Sequence, residues 1–199
     1  NRISVGRKAD ICVMSGDEAI AMGCSGPVLR ASGVEWDLRK AQPYLDYETY
    51  DFEVPIGTHG DTYDRYLVRI YEMRQAVRII EQALDRMRPG PLNADAPKVV
   101  LPPKEKVLTS MEDLIHHFII LTEGINPPHG EVYQGIEAPK GELGYYIVSD
   151  GSTAAYRCRI RPGAFVNLQA IERLAVGHMV ADVVAIIGSL DPVMGEVDR

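Results

Sequence analysis

The strongest constraint on this chain is a run of apolar residues between positions 63 and 87. Tyr63, Tyr66, Ile70, Met73, Val77, Ile80, Leu84 and Met87 recur at alternating spacings of three and four, the seam of a helix sustained over four heptads. Asp61 stands at the N-cap position. Asp61 and Asp64 suit the positive end of the helix dipole, and Arg86 and Arg88 suit the negative end. Arg88-Pro89-Gly90-Pro91 stops the helix. At 1.5 Å per residue the predicted helix is about 40 Å long. An apolar stripe of that length needs partners to cover it.

The rest of the chain is less periodic. Ser15-Gly16-Asp17-Glu18 has the form of a capping box and predicts a short helix over 19–22, stopped by Gly23. Positions 25–60 carry many turn formers, among them Pro27, Gly33, Pro43, Pro55, Gly57 and Gly60. That stretch reads as a long connection lying on other surfaces, anchored by Trp36, Tyr44, Tyr47 and Tyr50 and dense in acids. Residues 89–108 are proline-rich and read as extended. Ser110 with Asp113 caps a second helix whose face is Met111, Leu114, Ile115, Phe118 and Leu121, closed by Gly124. Period-two alternation then predicts strands over 131–137, 143–149 and 155–161. Pro139-Lys140-Gly141 turns between the first two, and Asp150-Gly151 signals a hairpin between the second and third. Two helical stretches follow, 165–174 and 178–187. The expected fold is α+β: long packed helices and one small three-stranded antiparallel sheet.

Composition narrows the function classes. The 199 residues carry a formal net charge of −7, which argues against a nucleic-acid partner recruited by phosphate attraction. Cys12, Cys24 and Cys158 are scattered without zinc-ligand spacing, which points to a reducing compartment and no metal site. The longest apolar stretch, 174–187, includes His178 and Asp182 and falls short of the roughly 20 apolar residues a bilayer span requires. His116-His117 are adjacent on a helix, point about 100° apart, and do not chelate one ion together.

Three further features carry two readings each. Cys158, on the strand face of Tyr156 and Ile160, reads as a buried apolar thiol. Asp182, among apolar neighbours, is either paired or raised in pKa inside the fold, or on the solvent side of an amphipathic helix, and the second reading is preferred. Arg157, Arg159 and Arg161 share the other strand face; they either bind an anion or pair with acids such as those of 46–53, and the pairing is preferred. No nucleophile–base constellation, P-loop or dinucleotide fingerprint is present, so catalytic residues are not assigned.

Several segments nevertheless carry a specific resemblance. They are Gly26-Pro27-Val28-Leu29-Arg30-Ala31-Ser32-Gly33, Asp51-Phe52-Glu53-Val54-Pro55, the run 60–69 beginning Gly60-Asp61-Thr62-Tyr63, Pro139-Lys140-Gly141-Glu142, Gly144-Tyr145-Tyr146, and the tail 185–199 containing Asp191-Pro192-Val193-Met194-Gly195-Glu196. From Ser15 onward the chain resembles the 49-kilodalton subunit family of respiratory complex I. That family is the D subunit of bacterial NADH-quinone oxidoreductase, related to the large subunit of nickel-iron hydrogenases. The resemblance implies a hydrogenase-large-subunit-like fold. It also implies that residues 1–199 are the C-terminal half of a subunit about twice this length, inactive in isolation. Hydrogenases bind nickel through Asp-Pro-Cys-x-x-Cys; here Val193 and Glu196 occupy the cysteine positions, so the soft ligands that nickel needs are missing.

By the same resemblance Asp191, Val193 and Met194 line the inner end of a quinone cavity, beside a terminal iron–sulfur cluster held by a neighbouring subunit. Quinone is then the substrate of a proton-translocating NADH:quinone oxidoreductase, NAD binds elsewhere in the complex, and this chain holds no metal. The implied partners are subunits B, C, I and H of that complex, the last of them embedded in the membrane. The chain itself is implied to be peripheral, on the cytoplasmic side of a bacterial membrane. The rival expectations are a purely structural half-subunit and a hydrogenase-like enzyme.

Overall fold

The computed structural model describes residues 2–97 and 99–198. The chain divides into two compact units. The first comprises Asn1–Arg86, Gln134–Tyr145 and Ile160–Arg199; the second comprises Met87–Tyr133 and Tyr146–Arg159. In chain order the helices begin with α1 (Arg2–Gly6), α2 (Gly16–Ala21), α3 (Pro27–Ala31), α4 (Leu38–Ala41) and the long α5 (Thr62–Arg86). The second unit holds α6 (Lys104–Thr109) and α7 (Met111–Thr122). Strands β1 (Gly130–Ala138), β2 (Gly141–Ser149) and β3 (Arg157–Arg161) then form one antiparallel sheet in the order β1-β2-β3. The last helices are α8 (Gly163–Leu168), α9 (Ala170–Leu174), α10 (Val180–Leu190) and α11 (Met194–Val197). The α+β fold therefore holds, and no helix among the described residues is long and apolar enough to cross a membrane.

The core of the first unit is built from short helices. Met14, Val28, Leu29, Leu174, Ile186 and Leu190 are buried together, drawing on α3, α9 and α10. This corrects the reading of 25–60 as a surface connection, because every residue of α3 is buried. The turn formers there delimit a helix too short to show a period. Gly26 enters at φ 66°, Pro27 starts the helix, and Gly33 leaves at φ 87°. At Gly26 a Cβ would stand 2.4 Å from the Cα of Gly141, so only glycine allows that approach. Ser15 and Glu18 form the expected capping box, at 3.3 and 3.2 Å, although α2 starts at Gly16 rather than at 19.

Asp61 caps α5 as expected, its Oδ1 accepting from the Asp64 amide at 2.7 Å. The side of α5 that packs within the chain is not the apolar seam. Thr62, Arg65 and Val68 are its buried residues, whereas Tyr66, Met73, Val77, Ile80 and Leu84 are exposed. Arg65 has no solvent exposure at all. Its Nε donates to Ser189 Oγ at 3.0 Å and its Nη1 to the Gly60 carbonyl at 2.9 Å. Its Nη2 donates to the Cys12 carbonyl at 3.0 Å and to Thr62 Oγ1 at 3.1 Å. Burial pulls the guanidinium pKa down to about 10, so it remains charged at neutral pH.

Further along the same polar side, Gln82 accepts from the Asp51 amide at 2.9 Å and donates to its carbonyl at 2.7 Å. Gln75 accepts from the Glu53 amide at 3.2 Å, and Arg78 pairs with Asp51. The acids near position 51 thus run beside α5 and do not meet the arginine-faced strand. Of that strand, Arg161 pairs with Glu142 at 3.6 Å and donates to the Gly23 carbonyl at 3.0 Å, while Arg157 and Arg159 are exposed.

Asp37 caps α4. Its carboxylate accepts from the Arg39 amide at 2.9 Å and from Arg39 Nε and Nη2 at 3.0 and 2.6 Å. Burial works to raise the Asp37 pKa, but the Arg39 fork and the nearby Arg30 hold it below the usual carboxylate range.

Asp182 also departs from the preferred expectation. It is buried, three residues into the N-terminal end of α10, where its Oδ2 accepts from the Met179 amide at 3.2 Å. Arg7 lies 3.3 Å from its other oxygen. The helix end supplies an acceptor role that periodicity did not register. The helix expected over 165–174 breaks at Gln169 into α8 and α9, and α10 continues to Leu190.

In the second unit, Ser110 caps α7 by accepting from the Asp113 amide at 3.4 Å, and Gly124 lies beyond its end at φ 80°. The expected extended stretch 89–108 gives way to α6 at Lys104, started by Pro103 at the N-cap. Met111, Leu114, Ile115, Phe118 and Leu121 are exposed. Asp150-Gly151 do not close a two-residue hairpin. Asp150 Oδ1 instead accepts from the Ser152 amide at 3.0 Å, and β3 begins only at Arg157. Cys158, expected to be buried, is exposed on this short strand.

Two outcomes follow from these contacts. Replacing Arg65 by methionine leaves two carbonyls and two hydroxyls without their donor, and is expected to lower stability by about 2–4 kcal/mol in urea denaturation. Asp37, held low, contributes stability that is present above the unfolded carboxyl pKa of about 4 and lost as pH falls through the lower folded value. An Asp37→Asn chain is therefore expected to be less stable at pH 7, by about 2 kcal/mol, and to lose less on acidification than the parent, as followed by thermal melts between about pH 7 and 3.

Candidate functional site

A cavity of about 510 Å³ opens within the first unit. From α5 come Arg69, Glu72 and Ala76, with Met73 from the edge of the apolar seam. The end of β1 and the turn after it supply Glu137, Ala138, Pro139 and Lys140. Arg30 comes from α3, Arg39 from α4, and Asp191 from the end of α10.

Part of the cavity wall is organised by Arg30, whose side chain is 2% exposed. Its Nε donates to Glu72 Oε1 at 2.7 Å, and its Nη1 donates to Glu137 Oε1 at 2.8 Å and to the Trp36 carbonyl at 2.9 Å. Burial alone would lower the Arg30 pKa, but Glu72 and Glu137 outweigh it and hold it above its ordinary value. Glu72 goes the other way: its burial outweighs Arg30 and pushes its carboxyl up. Glu137 is further fixed because its Oε2 accepts from the Leu38 amide at 3.2 Å and its own amide donates to Tyr44 Oη at 3.0 Å. The result is a hydrogen-bonded, charged part of the wall that serves as scaffold more readily than as a reacting group.

Asp191 also lines the cavity. It is the C-cap of α10 in a left-handed conformation, φ 53° and ψ 55°, with its amide donating to the Ile187 carbonyl at 3.0 Å. A non-glycine residue there carries a modest strain cost and turns the chain sharply into Pro192. Its carboxylate pairs with Lys140 Nζ, and Arg69 Nε lies 3.5 Å away. Burial lowers the Arg69 pKa, opposed by the charges of Asp191 and Glu72. Arg69 Nη1 donates to the Arg65 carbonyl at 3.0 Å, while its buried Nε has no hydrogen-bond partner among the described residues.

Val193 and Met194 follow at once. Val193 is the N-cap of α11 and Met194 its first residue; both are exposed, and neither is among the residues lining the cavity. The structure therefore brings Asp191 to the cavity and leaves the two apolar side chains on the surface next to it. Glu196, at the second of the positions where hydrogenases carry cysteine, accepts from the Ala164 amide at 3.0 Å. His116 and His117 lie on α7, the first exposed and the second half-buried. Among the described residues no group of three or more His, Cys, Asp or Glu side chains is placed to hold a metal ion.

The residues that sequence reasoning missed are Arg30, Arg69, Glu72, Glu137 and Lys140. The available signal was on α5 itself, where Arg65, Arg69, Glu72 and Gln75 recur at helical spacing opposite the apolar seam. A charged row of that kind on a helix with an unrelated apolar stripe marks a second packed face. Nothing in the sequence revealed the partners of Arg30, which lie 42 and 107 positions away.

Comparison with known proteins places the chain. A family model described as respiratory-chain NADH dehydrogenase, 49 Kd subunit, matches residues 1–199. The D subunit of NADH-quinone oxidoreductase from Geotalea uraniireducens (strain Rf4) is 62% identical over 187 residues, covering 94% of this chain and 48% of that protein. The protein of the same name from Geobacter metallireducens is 59% identical over 199 residues, covering 100% of this chain and 51% of the relative. That of Granulibacter bethesdensis is 56% identical over 199 residues, covering 100% and 50%. The chain thus spans about half the length of the curated relatives it matches. It belongs to the family of the 49-kilodalton subunit of respiratory-chain NADH dehydrogenase.

Proposed function

We propose that residues 1–199 are the C-terminal half of a 49-kilodalton-type subunit and contribute to the quinone cavity of a proton-translocating NADH:quinone oxidoreductase. The observation that carries this reading is the corner at Asp191. A carboxylate in the wall of a cavity is followed, after Pro192, by two exposed apolar side chains, Val193 and Met194. A quinone ring needs an apolar slot with a few polar groups near its carbonyl oxygens. Val193 and Met194 supply apolar surface, and the flexible thioether of Met194 conforms to a flat ring. Asp191 pairs with the neighbouring cations and is placed to pass protons as the ring is reduced. Quinone reduction takes up electrons and protons in equal number. In this reading the electrons come from NADH through a terminal iron–sulfur cluster carried by a neighbouring subunit, and NAD is bound elsewhere in the complex.

The partners are subunits B, C, I and H, of which B carries that cluster and H lies in the membrane. The chain is peripheral, on the cytoplasmic side of a bacterial membrane, and inactive by itself. The exposed seam of α5 supports a continuation of the subunit, since an apolar stripe of this kind is stable when covered. A nickel-iron centre does not fit: positions 193 and 196 present a valine and a hydrogen-bonded glutamate instead of thiolates.

One observation favours a second reading, in which this half is scaffold only. The Asp191 carboxylate is already paired with Lys140 and faces Arg69. The assembled complex separates the two. With Asp191→Asn or Val193→Met, quinone-reductase activity is expected to fall about ten-fold or inhibitor sensitivity to change. Assembly on a native gel and NADH oxidation by an artificial acceptor should stay normal. Unchanged quinone kinetics in both variants would leave the scaffold reading.

A further inference from the structure

We propose that Lys140 and Arg69 are positioning residues that fix Asp191, and through it the direction in which the tail bearing Val193 and Met194 leaves α10. This rests on the assignment of that tail to a quinone cavity.

The backbone at Asp191 is the starting point. A left-handed residue at a helix end is most often glycine, because a Cβ crowds the backbone there, with asparagine and aspartate next in tolerance. An aspartate at this corner is held by what its carboxylate binds. Lys140 binds it from the β1–β2 turn, and Arg69 faces it from α5. Both cations stand on backbone that is fixed independently of the tail. The Lys140 carbonyl accepts from Asn167 Nδ2 at 2.8 Å. A Cβ added to Gly163 would stand 2.9 Å from that same carbonyl oxygen, so the turn lies tightly against the start of α8. Arg69 is anchored one turn along from Arg65 by its bond to the Arg65 carbonyl at 3.0 Å.

The Nε of Arg69, which has no hydrogen-bond partner among the described residues, distinguishes the two roles. Lys140 bonds the carboxylate directly, whereas Arg69 acts on it as a charge 3.5 Å away. Asp191 is therefore held between two cations on separate rigid elements. The corner it forms points Pro192 and the apolar pair in one direction. Without the lysine the carboxylate is free to follow Arg69 alone, and the corner shifts with it while Glu196 still holds the far end of the tail to the Ala164 amide.

A double-mutant cycle in the assembled complex tests this, with a soluble short-chain quinone as the probe. Lys140→Met is expected to raise the KM for that quinone about five-fold, with kcat within about two-fold of the parent. Arg69→Met is expected to raise it about two-fold. Lys140→Arg should restore most of the parent KM, since it returns a cation of similar reach. In an Asp191→Asn background, Lys140→Met should change KM by less than about two-fold, because the group it acts through is gone.

An equal effect of Lys140→Met in both backgrounds, or no change in KM in either, would overturn the proposal. Altered quinone kinetics in Val193→Met together with a silent Lys140→Met would sink the positioning role and leave the quinone assignment standing. Silence of both Asp191→Asn and Val193→Met would remove the quinone assignment and this proposal with it. Should Lys140→Met fail to assemble, Lys140→Gln, neutral but still polar at its tip, replaces it in the cycle. If no neutral variant at 140 assembles while Asp191→Asn does, Lys140 is a folding residue and the proposal fails.

Discussion

The first unit depends on a cation buried among neutral oxygens. Arg65 is fully enclosed, and its hydrogen bonds reach two backbone carbonyls and two hydroxyls contributed by residues 12, 60, 62 and 189. A guanidinium tolerates this better than an ammonium, because its charge is spread and its N–H groups point in several fixed directions. The arginine thus supplies buried oxygens with donors, and those oxygens in turn satisfy its N–H groups. The approach of residues 14 and 60 belongs to the same arrangement. Met14 donates to the Gly60 carbonyl at 3.0 Å, and a Cβ at Gly60 would lie 2.1 Å from the Met14 carbonyl oxygen. Glycine at 60 lets the chain come close enough for Arg65 to bridge it.

From that point the polar side of α5 changes character along its length. Arg65 is structural and fully satisfied, Arg69 is one turn on and only partly satisfied, and Glu72 is tied to the second buried arginine, Arg30. The cavity lies where this row passes from full to partial satisfaction. Its charges are mostly paired within the wall, so the space between them is bounded by Met73, Ala76, Ala138 and Pro139 as well as by ions.

Legibility in the sequence followed the range of the interactions. The long helix, its aspartate cap, the serine caps of α2 and α7 and the strand-rich segment were all readable, because each depends on neighbours within a few positions. The short buried helix α3 was not readable, since five residues are too few to display a period. Asp182 was misjudged because helical periodicity says which way a residue points, and its burial came from the helix end instead. Cys158 was misjudged because alternation marks two faces of a strand without saying that either is covered. At the candidate site, Asp191, Val193 and Met194 came from family resemblance alone. The groups facing Asp191, at positions 69 and 140, are brought together only by folding over long sequence separations.

The two sides of α5 also answer to different rules of substitution. On the polar side, Arg65, Gln75 and Gln82 are held by directional hydrogen bonds to particular backbone atoms, so even a change of one donor leaves something unpaired. On the other side, Met73, Val77, Ile80 and Leu84 present shape and volume, where one aliphatic residue replaces another at little cost provided the total is kept. Drift in a lineage of such chains should therefore be lopsided around a single helix. The stripe that first draws the eye is free to vary among apolar residues, and the opposite face of glutamines and arginines is the one that stays put.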